Sequence, residues 1–194
     1  NYKLRSQAKA LEESSSNLED YIKSLDINVV VHKNKEFFSP RISELSKKSN
    51  QFNVTTRRYE VGEISTFVRS DNTDVYCFEV SDTFGSSGVT GVVIIELQDA
   101  IAKVDSFFMS CRVLGRKIEF YVWESLMREI FSQGCKEIHA EFVKTERNEI
   151  AESFFQDLGF SVSSDYEDCR TSYVLRADDL PRPMPELMEV TIGH

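Results

Sequence analysis

Three strand-like segments follow one another closely, and this arrangement limits the possible fold more than any other feature of the chain. Residues 75–80, 89–97 and 101–109 are rich in β-branched and aromatic side chains, which are typical of strands. Between them lie the Gly- and Ser-rich stretch 82–88 and the dipeptide at 98–99, both typical of turns. Strands joined by short turns pair antiparallel, so the sequence predicts a central antiparallel sheet.

The second half of the chain changes to an alternation of helix and strand. A helix ending at Gly134 is predicted from one apolar face, made of Ile118, Val122, Leu126 and Ile130. Residues 137–142 alternate between apolar and polar and predict a half-exposed strand. Asn148 then caps a further helix that Gly159 ends, and residues 172–175 form a last strand. A strand–helix–strand unit with short connections is a crossover, so the sheet is expected to be mixed.

The first half adds a strand and two helices. Residues 27–32 form a β-branched strand, and Ser39-Pro40 begins a helix that ends near Asn50. A strand-like stretch at 52–59 and a short helix at 60–69 follow. The predicted class is α/β (α+β), with a mixed, mostly antiparallel sheet flanked by helices.

Three regions are expected along the chain. Residues 1–25 are polar with a thin apolar stripe and predict a linker helix. Residues 26–178 form the main domain, and residues 179–194, which hold three prolines, form an extended tail.

The composition restricts the classes of function. The chain has 194 residues, 41% hydrophobic and 28% charged, with a net charge of −9. Such acidity gives no general attraction for nucleic acid or anionic membranes, so an anionic ligand requires a local basic site. No apolar run is long enough to span a bilayer. The four cysteines are too far apart for structural zinc, and we expect reduced thiols, no metal and a cytoplasmic location.

Four sequence blocks carry a family resemblance. They read NQFNVTTRRY at 50–59, D-x-F-G-x-x-G at 82–88, SCRVLGRKIE at 110–119, and TERN at 145–148 followed by FFQDLGF at 154–160. In this order and spacing, over roughly residues 11–160, the chain resembles the C-terminal region of the FkbH-like proteins. That resemblance implies the GNAT acetyltransferase fold and, for the family, acyltransferase activity.

The resemblance also implies partners. Such proteins join an N-terminal haloacid-dehalogenase-type phosphatase domain to this region, remove phosphate from a phosphoglyceryl donor and load the glyceryl group onto an acyl carrier protein. The chain contains no Asp-x-Asp phosphatase motif after an apolar strand. We therefore expect residues 1–25 to lead to a phosphatase domain, on which the transferase activity can depend.

The turn after the third strand is the candidate cofactor site. GNAT domains carry Gln/Arg-x-x-Gly-x-Gly/Ala at this point, where glycine and a helix N-terminus receive a pyrophosphate. The resemblance assigns coenzyme A, acetyl-CoA or the phosphopantetheine of a carrier protein to Arg112, Val113, Leu114, Gly115, Arg116, Lys117 and Asn148. Lys117 departs from the small residue of the motif. The alternative is a helix N-terminus with solvated basic residues.

Cys111 and His139 are the candidate catalytic residues. Cys111 precedes Arg112 near a helix start, an environment in which cysteines act as nucleophiles, and it could hold the glyceryl group as a thioester. The alternative is an inert core cysteine. His139 is predicted on the polar side of its strand, where it is either a base or a plain surface histidine.

A polar group in the first block is the candidate substrate site, consisting of Asn50, Asn53, Thr55, Thr56 and Arg57. These side chains either bind a glyceryl hydroxyl or cap the local backbone. Phe142 and Phe155 stand where related N-acetyltransferases often carry an acidic tyrosine, which favours thioester chemistry. An acetyl-CoA-dependent N- or O-acetyltransferase, and a degenerate domain that only docks a carrier protein, remain alternatives.

Overall fold

The computed structural model describes residues 17–166 and 169–193. Most of the helix predicted at 2–25 lies outside these residues. The α-helices within them are α1 (Leu18–Ser24), α2 (Ser39–Lys48), α3 (Val61–Val68), α4 (Ile118–Ser132) and α5 (Phe154–Asp157). The strands are β1 (Asn28–Lys33), β2 (Phe52–Asn53), β3 (Thr73–Asp82), β4 (Gly85–Gln98), β5 (Ile101–Met109), β6 (Glu137–Val143), β7 (Ser161–Tyr166), β8 (Arg170–Arg176) and β9 (Glu189–Gly193).

One open sheet contains the nine strands of this described part. Its order is β7-β8-β6-β5-β4-β3-β1-β9, with the two-residue β2 paired to β5. The β5–β6 and β1–β9 pairs are parallel and the other pairs are antiparallel. The prediction of a mixed, mostly antiparallel sheet flanked by helices is therefore confirmed.

Helices cover both faces of the sheet. On one face α4 and α5 pack against the larger core, where Trp123 meets Phe107 and Phe154 in edge-to-face contacts. On the other face α2 and α3 cover a smaller core that includes Ile42 and Ile64. The apolar face predicted for α4 is confirmed, since Ile118, Val122, Leu126 and Ile130 are all buried.

Two predicted elements are shorter in the structure. The helix predicted from Asn148 divides into a 3-10 turn (Glu149–Ala151) and the short α5. Asn148 makes no side-chain cap bond to that turn, because its amide group is engaged elsewhere. The strand-like stretch 52–59 forms a strand only at β2.

Both ends of the described chain join the main core. Ile22 and Leu25 of the α1 region are fully buried in the larger core, together with Leu187 of the tail. The tail has no helix or strand over residues 180–188 and then forms β9, which pairs parallel to β1. The Tyr121 hydroxyl donates a hydrogen bond of 2.7 Å to the Pro185 carbonyl and fixes the tail against α4. Residues 17–25, the described part of the predicted linker, and the tail are thus packed against the core of the domain.

A close approach at Gly91 gives a test of this packing. A Cβ at position 91 would overlap the Phe78 ring, so we expect Gly91→Ala to destabilise the protein by about 1–3 kcal/mol. Gly62→Ala is the matched control, because its Cβ meets nothing within 4 Å and alanine favours a helix. Urea denaturation of both variants measures the difference. Equal stabilities would contradict the packing described for Phe78.

Candidate functional site

Four loops meet at one edge of the sheet. Because β5 and β6 are parallel, their carboxyl ends lie at the same edge, which we call the carboxyl edge. The antiparallel pairing of β4 with β5, and of β3 with β4, brings the β3–β4 turn to this edge as well. The loops that gather there, at 49–58, 82–88, 110–117 and 144–148, contain the first three blocks of the family resemblance and the TERN part of the fourth, apart from a few end residues.

The two parallel strands separate towards the carboxyl edge. Direct pairing covers only Ile101–Lys103 of β5 and Glu137–His139 of β6. Beyond it, Ile94 pairs with Ser106 while its neighbour Ile95 pairs with Val104, so Asp105 is an extra residue in β5. Such a bulge bends a strand, and bulges are common next to functional sites. Here the bulge lies where β5 leaves β6.

The gap between the separated strands is filled by residues 52–55, which we call the inserted segment. Phe52 pairs with Met109 and Asn53 with Phe108. The Val54 amide donates to the Phe107 carbonyl at 3.0 Å, and the Val54 carbonyl accepts from the Val143 amide at 2.8 Å. The inserted segment therefore bridges β5 and β6 with its own backbone.

A buried polar network holds the inserted segment against the bulge. The Asp105 carboxylate, only 3% exposed, pairs with the Arg57 guanidinium and accepts a hydrogen bond from the Tyr59 hydroxyl. Burial raises the pKa of Tyr59, which keeps its hydroxyl protonated as a donor. Thr55 Oγ1 donates to the Asp105 carbonyl at 3.0 Å and lies 2.8 Å from Ser106 Oγ.

Two buried asparagines join the loops beside the inserted segment. Asn148 Nδ2 donates to the carbonyls of Asn53 and Val143, both at 2.9 Å, and its Oδ1 accepts from Thr145. Asn53 Oδ1 accepts from the Thr56 amide at 2.8 Å. Both asparagines are fully buried, so these side chains act on the backbone of the chain in this structure. Their roles in substrate or cofactor binding stay predictions.

Cys111 lies exposed at the carboxyl edge, as the first residue of a 3-10 turn (Cys111–Val113) after β5. Ser110 Oγ accepts from the Arg112 amide at 3.4 Å and caps this turn. The contrasting thiol is Cys77, which is buried and whose pKa desolvation raises to about 12. Cys111 is therefore an accessible thiol and Cys77 is not.

The structure does not bring His139 to Cys111. His139 pairs in register with Lys103 at the start of β5, about 20 Å from Met109 at about 3.3 Å per residue. Its Nε2 lies 2.7 Å from a Glu137 carboxylate oxygen on the sheet surface. The two candidate catalytic residues thus occupy opposite ends of the sheet.

The loop from Arg112 to Lys117 is held in place by the buried side chain of Val113 and by one ion pair. Val113 is fully buried, while Arg112 is exposed. Arg116 Nη1 lies 2.6 Å from Asp82 Oδ2, which ties this loop to the β3–β4 turn. Gly115 has φ of 81°, and a Cβ there would meet nothing within 4 Å, so the loop is open on that side.

A cavity of about 330 Å³ opens between two of the blocks. Its lining residues are Asn50, Thr56, Arg58, Thr145, Glu146 and Arg147. The sequence interpretation missed Arg58 and Arg147 as candidates, although both belong to the blocks that carry the resemblance. Basic residues inside such blocks are the signal that could have identified them.

Glu119 is a further buried acid near the carboxyl edge that was not among the candidates. It lies in the first turn of α4, and desolvation raises its pKa. One of its carboxylate oxygens has no hydrogen-bond partner. In the sequence, Glu119 could have been recognised only by its position directly after the first apolar residue of the predicted helix.

A metal site needs several ligating side chains close together, and a helix that spans a membrane must be long and apolar. Within 17–166 and 169–193, no three His, Cys, Asp or Glu side chains are grouped so that they could hold a metal ion. Across the same part of the chain, no helix is long and apolar enough to cross a membrane.

Among the solved structures similar to this chain are several acetyltransferases. A domain from Methanocaldococcus jannaschii superimposes with a TM-score of 0.62 at 14% identity, covering 78% of this chain and 99% of that one. An acetyltransferase from Thermus thermophilus gives 0.60 at 15% identity, with 78% and 99% covered. The aminoglycoside acetyltransferase AAC(6')-Ib, solved in complex with coenzyme A, gives 0.57 at 12% identity, with 78% and 96% covered.

These likenesses show that the chain has the GNAT acetyltransferase fold. No protein-family model matches the sequence, and no curated protein matches it either.

The hydrogen bonds of Asn148 give a test of the site's construction. Asn148→Ala would leave buried carbonyls of Asn53 and Val143 short of a donor, and an unsatisfied buried group costs about 1–3 kcal/mol. We expect a loss of about 2 kcal/mol or more in urea denaturation. Asn72→Ala, at an exposed side chain, should change stability by less than about 0.5 kcal/mol. Equal small effects would argue that Asn148 does not hold the loops together.

Proposed function

We propose that this chain is an acyltransferase domain that passes an acyl group, of the glyceryl type, between Cys111 and the phosphopantetheine thiol of an acyl carrier protein. The observation that carries the proposal is the exposed Cys111 at the carboxyl edge, at the start of the Gly115 loop. The resemblance to the FkbH-like proteins supplies the acyl group and the carrier protein. The GNAT fold agrees with acyl transfer but does not select the acceptor.

The transfer step is a thiol–thioester exchange. The thiolate of the pantetheine arm attacks the carbonyl carbon of the acyl group on Cys111 Sγ and forms a new carbon–sulfur bond. The bond to Cys111 breaks, and the Cys111 sulfur leaves as a thiolate that takes up a proton. Thiolates are competent both as nucleophiles and as leaving groups, so the step needs little acid–base assistance. It therefore proceeds without the distant His139.

The loop after Cys111 supports phosphate binding at this edge. Arg112 is exposed, and Gly115 leaves the backbone open to a ligand. Arg116 is engaged with Asp82, so we assign it to shaping the loop. The N-terminus of the 15-residue α4 adds a partial positive charge. The phosphate of a pantetheine arm would lie here, with the thiol end towards Cys111.

Free acetyl-CoA is a less suitable donor for this geometry. An extended arm pairs with an exposed strand edge through backbone hydrogen bonds, yet the inserted segment already occupies that edge of β5. Phe142 and Phe155 are also buried and cannot donate a proton to a leaving group. A pantetheine arm can still reach Cys111 from the carboxyl edge without entering the gap, and a carrier protein can add surface contacts there that free coenzyme A lacks.

A second candidate is a domain that docks a carrier protein without catalysis. The filled gap between β5 and β6 favours it, because the inserted segment already pairs with the edge of β5 that a substrate arm would use. In this alternative a phosphatase domain, joined through residues 1–25, would perform the chemistry. The two candidates differ in whether Cys111 carries the acyl group during turnover.

The role of Cys111 can be tested by mass spectrometry of the intact protein. Incubation with glyceryl-S-pantetheine should add one glyceryl group to the wild-type chain, since the exchange runs in both directions. Cys111→Ala should abolish the adduct. Cys169→Ser, which removes another exposed thiol, should keep it. An adduct that persists in Cys111→Ala, or no adduct in the wild type, would reject the covalent role and favour docking alone.

The filled gap predicts how the chain responds to free ligands. We expect coenzyme A and acetyl-CoA, up to about 1 mM, to leave the melting temperature unchanged, whereas a holo carrier protein raises it. Apo carrier protein, which lacks the arm, is the control. A rise with acetyl-CoA that equals the rise with holo carrier protein would instead support an acetyl-CoA-dependent enzyme.

A further inference from the structure

We infer that the cavity between the first and fourth blocks is a binding site for a small anion with a carboxylate or phosphate head. Asn50 and Thr56 of its lining belong to the substrate site predicted from the sequence, but the inference rests on Arg58 and Arg147 and does not depend on the transfer chemistry proposed for Cys111. The charges that line the cavity and the rigidity of its walls both favour such a ligand.

Two guanidinium groups line the cavity. Arg147 is exposed, and it forms no ion pair with a carboxylate among residues 17–164 and 169–193. Arg58 donates to the Asn50 side chain at 2.6 Å and to the Ser46 carbonyl, which orients its planar group at the cavity wall. Guanidinium groups bind carboxylates and phosphates through paired hydrogen bonds. In a chain of net charge −9, this local concentration of positive charge requires an explanation.

The walls of the cavity are held in place by buried side chains. Asn148 joins the Thr145 loop to the Asn53 backbone, and Asn53 holds the Thr56 amide. Arg57, next to Arg58, is fixed by its ion pair with Asp105. A ligand therefore meets loops that are already positioned and does not have to order them, which favours affinity.

The remaining lining residues indicate the chemistry of the ligand. The hydroxyl of Thr56 can donate to an anion, while the Glu146 carboxylate can only accept a hydrogen bond at neutral pH. An anion that also carries a hydroxyl group matches both. The cavity lies beside the predicted nucleophile, because Asn50 precedes Phe52 by two residues and Cys111 follows its partner Met109 by two. A small hydroxycarboxylate or phosphate ester would thus bind close to the exposed thiol.

Calorimetric titration of the complete chain with inorganic phosphate and, separately, with glycolate tests the site. We expect Arg147→Gln to weaken binding about tenfold, because a hydrogen bond to a charged group is lost. Arg182→Gln, at an exposed arginine of the tail, is the charge-matched control and should leave affinity unchanged. Glu146→Gln should tighten phosphate binding about threefold by removing a like charge.

Each outcome decides the inference. Loss of affinity in Arg147→Gln with no loss in Arg182→Gln supports the site, and the stronger of the two probes identifies the head group. Equal losses in both variants would show general charge attraction and overturn it. Failure of the wild type to bind either probe with Kd below about 10 mM would overturn it as well. Melting temperatures of the variants check that folding is intact.

Discussion

The backbone hydrogen bonds of the inserted segment are the interaction on which the carboxyl edge depends. Parallel strands that separate leave amides and carbonyls without partners, and burying such groups is costly. Here residues 52–55 provide partners for β5 on one side and for β6 on the other. The bulge at Asp105 and the separation of the strands are stable because this segment lies between them.

The same contacts determine where ligands can approach. With the gap filled, a ligand approaches from the carboxyl edge, whose loops contain Cys111, Gly115 and the cavity of Arg58 and Arg147. The Asp105 network with Arg57 is engaged with the inserted segment through Thr55. We therefore expect the proposed acyl transfer at the carboxyl edge and not in the gap between β5 and β6.

The loops of the carboxyl edge carry exposed positive charges, although the chain as a whole is acidic. The chain is strongly acidic, yet Arg58, Arg112 and Arg147 are exposed in the loops of the carboxyl edge. Local positive charge in an acidic protein attracts small anions without attracting polyanions generally. This pattern agrees with a phosphate-bearing arm and a small acidic ligand as partners of one edge.

The sequence by itself determined the elements whose side-chain pattern is local. The β3–β5 meander, the buried face of α4 and the alternating β6 followed from periodicity, and the family resemblance led to the GNAT fold. Only the tertiary structure decided the construction of the site. Residues 52–59 show no alternation that could reveal an insertion between two distant strands, and the burial of Asn53 and Asn148 results from that insertion. The alternation along β6 likewise identified His139 as a residue of the exposed face. The distance between His139 and Cys111 depends on the register of β5 and β6, and the periodicity of a single strand gives no information about register.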